Sequence, residues 1–468
     1  MRIQTIYLFL ALIILIIISG CVQQENQTSK PNENVYESNL ENQETEQEVQ
    51  PRSKTTQLGT LCTGVKECED FCNFNSLECE QYCIAHPENP TCKEKFAFVY
   101  KEGYTPLTYG QNSVMNAGCE GKGPVTFTYS PMKFEDIEMI MPLGLISPPG
   151  HITPTDHQYY YPHTWKRELK EEDLVDAYSP ADGVVTSLEI MPDFFNTAKG
   201  TNLGDYRLII HHTCTFYTIY IHLRQIPEKL QKIVEKKADG RQPVKVKAGE
   251  LIGRATSFDF SAHNEDVTLQ GFIIPEHYNA EPWKIHTVDP FDYFVPEVKT
   301  ELLKKNLRTA EPLGGKIDYD IDGRLIGNWF VENTYGYLGV KRPDYYVTHI
   351  SFAPNALDPK HFIIGLGNYN GGGRDFGAKG NTPNPKDVDI STGIVIYELL
   401  DFEHFDDSGR PWDRISYVNG LTAKNGDVVQ GFLLVQLIDK RKLKLEAFPG
   451  KTKEQVAGFT EKAVIYER

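Results

Sequence analysis

The 468-residue chain has no excess of positive charge: 48 Lys and Arg stand against 64 Asp and Glu, a formal net charge of −16. A phosphate backbone is held by clustered cations, so nucleic acid is excluded as a bulk partner. The apolar run at residues 6–18 (IYLFLALIILIII) has 13 residues, short of the roughly 20 that cross a bilayer. No CxxC zinc knuckle is present. The glycine-rich stretch Gly365–Pro385 lacks the Lys-Ser/Thr and helix of a phosphate loop, and is expected to be a mobile loop, at a barrel mouth.

What is present is enough for a core. Hydrophobic residues make up 40 % of the chain and aromatic ones 11 %, with 37 Gly and 28 Pro to make turns. That excludes a disordered protein and a coiled coil. Arg2, the apolar run and Ser19-Gly20-Cys21 form a signal peptide (1–20) ending in a lipobox. Cys21 is expected to carry lipid, leaving the rest outside the cytoplasmic membrane or on the cell surface, anchored to it through that lipid. Residues 21–57 hold almost no apolar side chains and read as a flexible tether.

Residues 58–95 carry Cys62, Cys68, Cys72, Cys79, Cys83 and Cys92. In an oxidising compartment these read as disulfides rather than zinc ligands. Each CxxxC pair puts two sulfurs on one helix face. A helical hairpin then favours Cys68–Cys83, Cys72–Cys79 and Cys62–Cys92, among other pairings that six cysteines allow. By parity, Cys119 and Cys214 are left for each other. The hairpin reads as a spacer or a docking module.

From residue 96 onward short alternating runs dominate: 125–129, 182–190, 206–212, 216–223, 267–274 and 393–400. These predict a mainly β protein, with a first β domain at 96–300 and a C-terminal antiparallel β-barrel-like domain at 309–468. Helices are predicted around Pro227–Lys237 and, as a connector, Pro296–Arg308. His211-His212 reads as the polar end of a strand.

Four ordered blocks carry a resemblance: 178–185 (YSPADGVV), 206–223 (YRLIIHHTCTFYTIYIHL), 243–254 (PVKVKAGELIGR) and 287–294 (TVDPFDYF). Over roughly 140–295 the chain resembles the lysostaphin-like zinc endopeptidases. The resemblance implies a lipoyl-like, duplicated hybrid-motif β core with Gly183, Gly249 and Gly253 at tight turns. It also implies zinc held by an early His and Asp and by one histidine of a late His-x-His strand, with water in the open position.

On this chain the early metal ligands map to His151 and Asp156, and the catalytic histidine to His222 in YIHL. The late pair falls on Asp266 and Thr268, where no imidazole stands. His157, His263 or Asp266 are the residues left to replace the missing ligand. Tyr159 and Tyr160, with Tyr161, are expected to floor a sugar- or peptide-binding surface. Cofactor expectation is therefore none, or weakly bound Zn. Two functions from different classes stand: a lipid-anchored binding or scaffold protein on a degenerate peptidase-like core, recognising a cell-envelope polymer or peptide, and a zinc-dependent envelope metallopeptidase with an altered ligand set.

Overall fold

The computed structural model describes residues 118–165, 170–191, 203–235, 244–334, 336–339 and 345–468. The signal peptide, Cys21, the tether and the hairpin cysteines Cys62, Cys68, Cys72, Cys79, Cys83 and Cys92 lie outside the described residues. Those described all belong to one compact unit within Cys62–Arg468, and they are mainly β.

The first part of this unit is an antiparallel sheet. Its strands are β1 (Ile137–Met141), β2 (Gln158–Pro162), β4 (Gly183–Ile190), β5 (Tyr206–Thr213), β6 (Phe216–Leu223), β7 (Val244–Val246) and β9 (Phe258–Asn264), in the order β1-β2-β9-β6-β5-β4-β7. The two-residue β10 (Thr287–Val288) also pairs with β9, and β3 (Val175–Tyr178) pairs with β8 (Leu251–Ala255) as a separate ribbon. Alternation explains which face is core. In β2, Tyr160 is fully buried and stacks on Phe258, while Tyr159 and Tyr161 point to the other side. The core collects Phe127, Ile140, Leu208, Phe216, Tyr220, Phe258 and Phe260. Helix α1 (Glu228–Glu235) follows β6, inside the segment predicted to be helical.

Glycines do two different jobs here. Gly249 has φ +74, which a side chain rarely adopts. Gly183 and Gly253 instead sit in strands, where a Cβ would meet the His211 carbonyl at 2.8 Å and the Leu223 side chain at 2.9 Å. Close backbone approach, rather than a turn, requires them. A disulfide joins Cys119 to Cys214, as parity predicted, across a sequence separation of 95.

After α2 (Pro296–Leu303) comes a closed antiparallel barrel. Its strands run in sequence order: β11 (Gly327–Val331), β12 (His349–Pro354), β13 (Phe362–Tyr369), β14 (Gly372–Ala378), β15 (Val395–Phe405), β16 (Thr422–Asp439), β17 (Lys442–Pro449) and β18 (Val464–Glu467). Pairing of Phe330 with Glu467 and Val331 with Tyr466 closes the circle, so no sheet edge is left. Trp329, Phe352, Ile364, Tyr397 and Leu433 pack its interior.

Three expectations for irregular and strand segments are corrected. The glycine-rich stretch is largely the β13–β14 hairpin and not a mobile loop, because Gly373 and Gly377 let the strand lie against Pro149 and Asn425. Residues 267–274 alternate but form no strand: Gly271 is pressed on the Asp318 backbone and donates to the Asp318 carboxylate, drawing the segment away from the sheet. Around 125–129 only a single bridge, Phe127 to Phe294, survives.

Candidate functional site

The candidate site lies where β2, β6 and β9 run side by side and present Asp259 beside two imidazoles. His222 is near the end of β6. There Ile221 and His222 together face the single residue Arg207 of β5, a β-bulge, and His222 takes φ +72. A bulge re-aims the side chain that follows it. His222 Nδ1–H donates to the buried Asp205 carboxylate, 3.1 and 3.2 Å from its two oxygens, which fixes the ring; Arg224 supports the same carboxylate from 3.5 Å. Nε2 faces Asp259 Oδ2 at 3.6 Å, and the side chain keeps 30 % exposure. Burial lowers the proton affinity of His222, but Asp259 and Asp205 outweigh it and raise the pKa above the ordinary value.

Asp259 sits on β9 with Tyr159 and Ile221 as its cross-strand partners. The same oxygen lies 3.5 Å from His157 Nε2, so one carboxylate serves two imidazoles. His157 Nδ1–H donates to Asp156 Oδ1 at 3.0 Å. Burial works against its charge, and Asp259 and Asp156 again raise the pKa. Two carboxylates, Asp156 and Asp259, thus frame His157.

Asp156 is fully used. Oδ1 accepts from His157 and pairs with Lys284 Nζ at 3.1 Å, while Oδ2 accepts from the Trp283 indole at 2.7 Å. Burial alone would raise its pKa, yet Lys284 and His157 hold the carboxyl well below the usual range. Lys284 is itself buried, reaches Glu281 at 3.2 Å and lies 4.6 Å from the centroid of the Tyr337 ring. These anions outweigh burial and keep its ammonium protonated.

The sequence-derived residues divide clearly. The structure brings His151, Asp156, His157 and His222 to one region: the His151 ring lies 5.3 Å from that of His157, and burial with His157 and Lys284 pushes its pKa down to about 3. Tyr159 lines the same side, 4.9 Å from the His157 ring. Tyr160 is a correction: period-two alternation buries it in the core, so it floors no surface.

Asp266 and Thr268 are corrections too. Strand β9 ends at Asn264, and both residues lie exposed beyond it, at the opposite end from Asp259, more than about 15 Å away at roughly 3.3 Å per strand residue. The strand residues sharing the parity of Asp259 are Ser261 and His263. His263 is a satisfied core histidine: its Nδ1–H donates to the Trp283 carbonyl at 3.1 Å and its Nε2 accepts from Ser261 at 2.7 Å, while burial lowers its pKa to about 4. It has no lone pair left for a metal.

Asp205, Asp259, Trp283 and Lys284 were not singled out from sequence. The signal for Asp259 was present: a charge at the parity of Ser261 and His263 inside the aromatic strand FDFSAH, every residue of which is buried. Nothing local marks Asp205 or Lys284.

Whether these residues fit zinc follows from their donors. Both Asp156 oxygens and both His263 nitrogens are already engaged, and among the described residues no group of three or more His, Cys, Asp or Glu is arranged to hold a metal ion. As placed, Asp156 and His263 are satisfied by protein partners and not offered to a metal.

No protein-family model matches the sequence, and no curated protein matches it. Among solved structures the chain shows similarity to a zinc-containing peptidase from Vibrio cholerae, at 19 % identity and a TM-score of 0.21, covering 31 % of this chain and 38 % of that one. The chain thus matches well under half of that protein's length. At this level the likeness decides no chemistry.

Proposed function

We propose that the protein is a lipid-anchored extracytoplasmic binding or scaffold protein whose peptidase-like β domain recognises a cell-envelope peptide or polymer without cutting it. The observation that carries this is His222. A non-glycine residue at φ +72 is costly, about 1–3 kcal/mol, and here that conformation aims a half-exposed imidazole held by Asp205. Such strain persists where the surrounding structure holds it in place, and it clusters at functional sites. What that side chain meets inside is the Asp259 carboxylate, 3.6 Å from Nε2. The strand expected to bring imidazoles brings Asp259, Ser261 and a buried, satisfied His263.

A rigid imidazole next to a carboxylate offers a donor and an acceptor to amide, hydroxyl or carboxylate groups of a ligand. The aromatic rings of Tyr159 and Tyr161, 6.0 Å apart and nearly parallel, supply adjacent apolar contact. Anchoring rests on the lipobox ahead of Cys21.

The test uses full-length protein in membranes and soluble cross-linked envelope peptides or glycan fragments as probes. Binding by the wild type, weakened about tenfold or more in His222→Ala, with every probe recovered intact by mass spectrometry, is the expected result. Cys21→Ser is expected to move the protein to the soluble fraction. Cleaved probe that disappears in His222→Ala contradicts the reading and makes the domain a hydrolase.

A further inference from the structure

We infer that Lys284 Nζ is a resident cation standing in the place of a metal: the ammonium neutralises Asp156, holds the loop Ser147–His157 in its folded position, and keeps divalent ions out.

The geometry is that of a cation site filled from within. Lys284 Nζ lies 3.1 Å from Asp156 Oδ1 and 3.2 Å from Glu281 Oε2, and the Tyr337 ring closes its open side at 4.6 Å. Its side chain is only 7 % exposed, like that of Asp156. Beside the effect of burial, its charge lowers the proton affinity of four of the five groups that the resemblance makes ligands or replacements: His151, Asp156, His157 and His263.

A buried carboxylate needs a positive partner. A metal can supply it, and so can a lysine. A lysine does so without the exchange that a metal undergoes and without activating water, since an ammonium has no vacant coordination position. Trp283, the residue before it, takes the second Asp156 oxygen at 2.7 Å. The pair Trp283-Lys284 thus occupies the whole carboxylate from a single short 3-10 segment, Pro282–His286. Tyr337 belongs to the segment between β11 and β12, so the barrel also braces the cation. This inference rests on the non-cutting reading of the same groove and deepens it, by saying what replaced the metal.

The test compares zinc affinity, by competition with a chromophoric chelator, in full-length wild type, Lys284→Met and the double variant Lys284→Met/Asp156→Asn. The expected result is a gain of about tenfold or more in Lys284→Met that is lost again in the double variant. A folded Lys284→Met with no gain overturns the inference, and so does a wild type whose zinc affinity drops in Asp156→Asn.

Should Lys284→Met not fold, amine labelling of the wild type read by mass spectrometry still decides. Lys284 is expected to stay unlabelled with and without millimolar zinc, and labelling that rises with zinc overturns the assignment. Failure of the binding reading shows separately, as cleaved probe in the assay above.

Discussion

At the scale of single residues, His222 and Asp259 set the geometry of the proposed site. The YIHL motif was legible because a histidine among alternating apolar residues stands out. Its two partners were not. Asp205 precedes β5, and the contact exists only because β5 and β6 pair with a bulge that turns the imidazole back across Arg207. The late positions assigned to Asp266 and Thr268 failed for a related reason. Counting forward from the VKAGELIGR block runs past the end of β9, whose buried residues stop at Asn264.

The positive φ yields a stability prediction that is independent of ligand. His222→Val places a β-branched side chain in a conformation it rarely adopts and loses the Asp205 bond, so urea unfolding is expected to show a loss of about 1–3 kcal/mol. His222→Gly loses the same bond while removing the strain, and is expected to unfold with a smaller loss. A His222→Val no less stable than His222→Gly would show that the backbone there carries no strain.

Among elements, the strands that were read correctly are those whose pattern and partners agree. In 206–212 and 216–223 alternation coincides with paired neighbours β5 and β6, and the barrel strand β15 follows the same rule. The run 267–274 has alternation without a partner, because Gly271 and Asp318 draw it to another surface. Periodicity states what a segment can do in a sheet, and pairing decides whether it does.

The Cys119–Cys214 bridge secures one element that pairing does not. It joins the first described segment to the turn between β5 and β6, where Cys214 N–H donates to the Gly121 carbonyl at 3.1 Å. Closing a loop of 95 residues restricts the unfolded chain, and removing such a bridge typically costs about 2–4 kcal/mol. Cys119→Ser/Cys214→Ser is expected to lower the urea midpoint by that measure while keeping His222-dependent binding. An unchanged midpoint would mean the bridge is not formed in the mature protein.

For the molecule as a whole, the mainly β architecture and the closed C-terminal barrel were legible in the sequence, from turn spacing and from a last strand that returns to the first. How the barrel serves the site was not. Ser351 donates to the Ile152 carbonyl, Gly373 lies against Pro149, and Tyr337 backs Lys284. The barrel therefore presses on the loop that carries His151, Asp156 and His157, and it closes the side of the site from which a lysine rather than a metal completes Asp156. No local pattern records a contact between residues almost 200 positions apart in sequence. We propose that the β domain carrying His222 holds its charges together without a metal. Elemental analysis of the full-length protein, purified without chelator and equilibrated with a small excess of zinc before desalting, tests it most directly. The account predicts zinc well below one ion per chain and no dependence on Asp156. One zinc per chain, lost in Asp156→Asn, would contradict it.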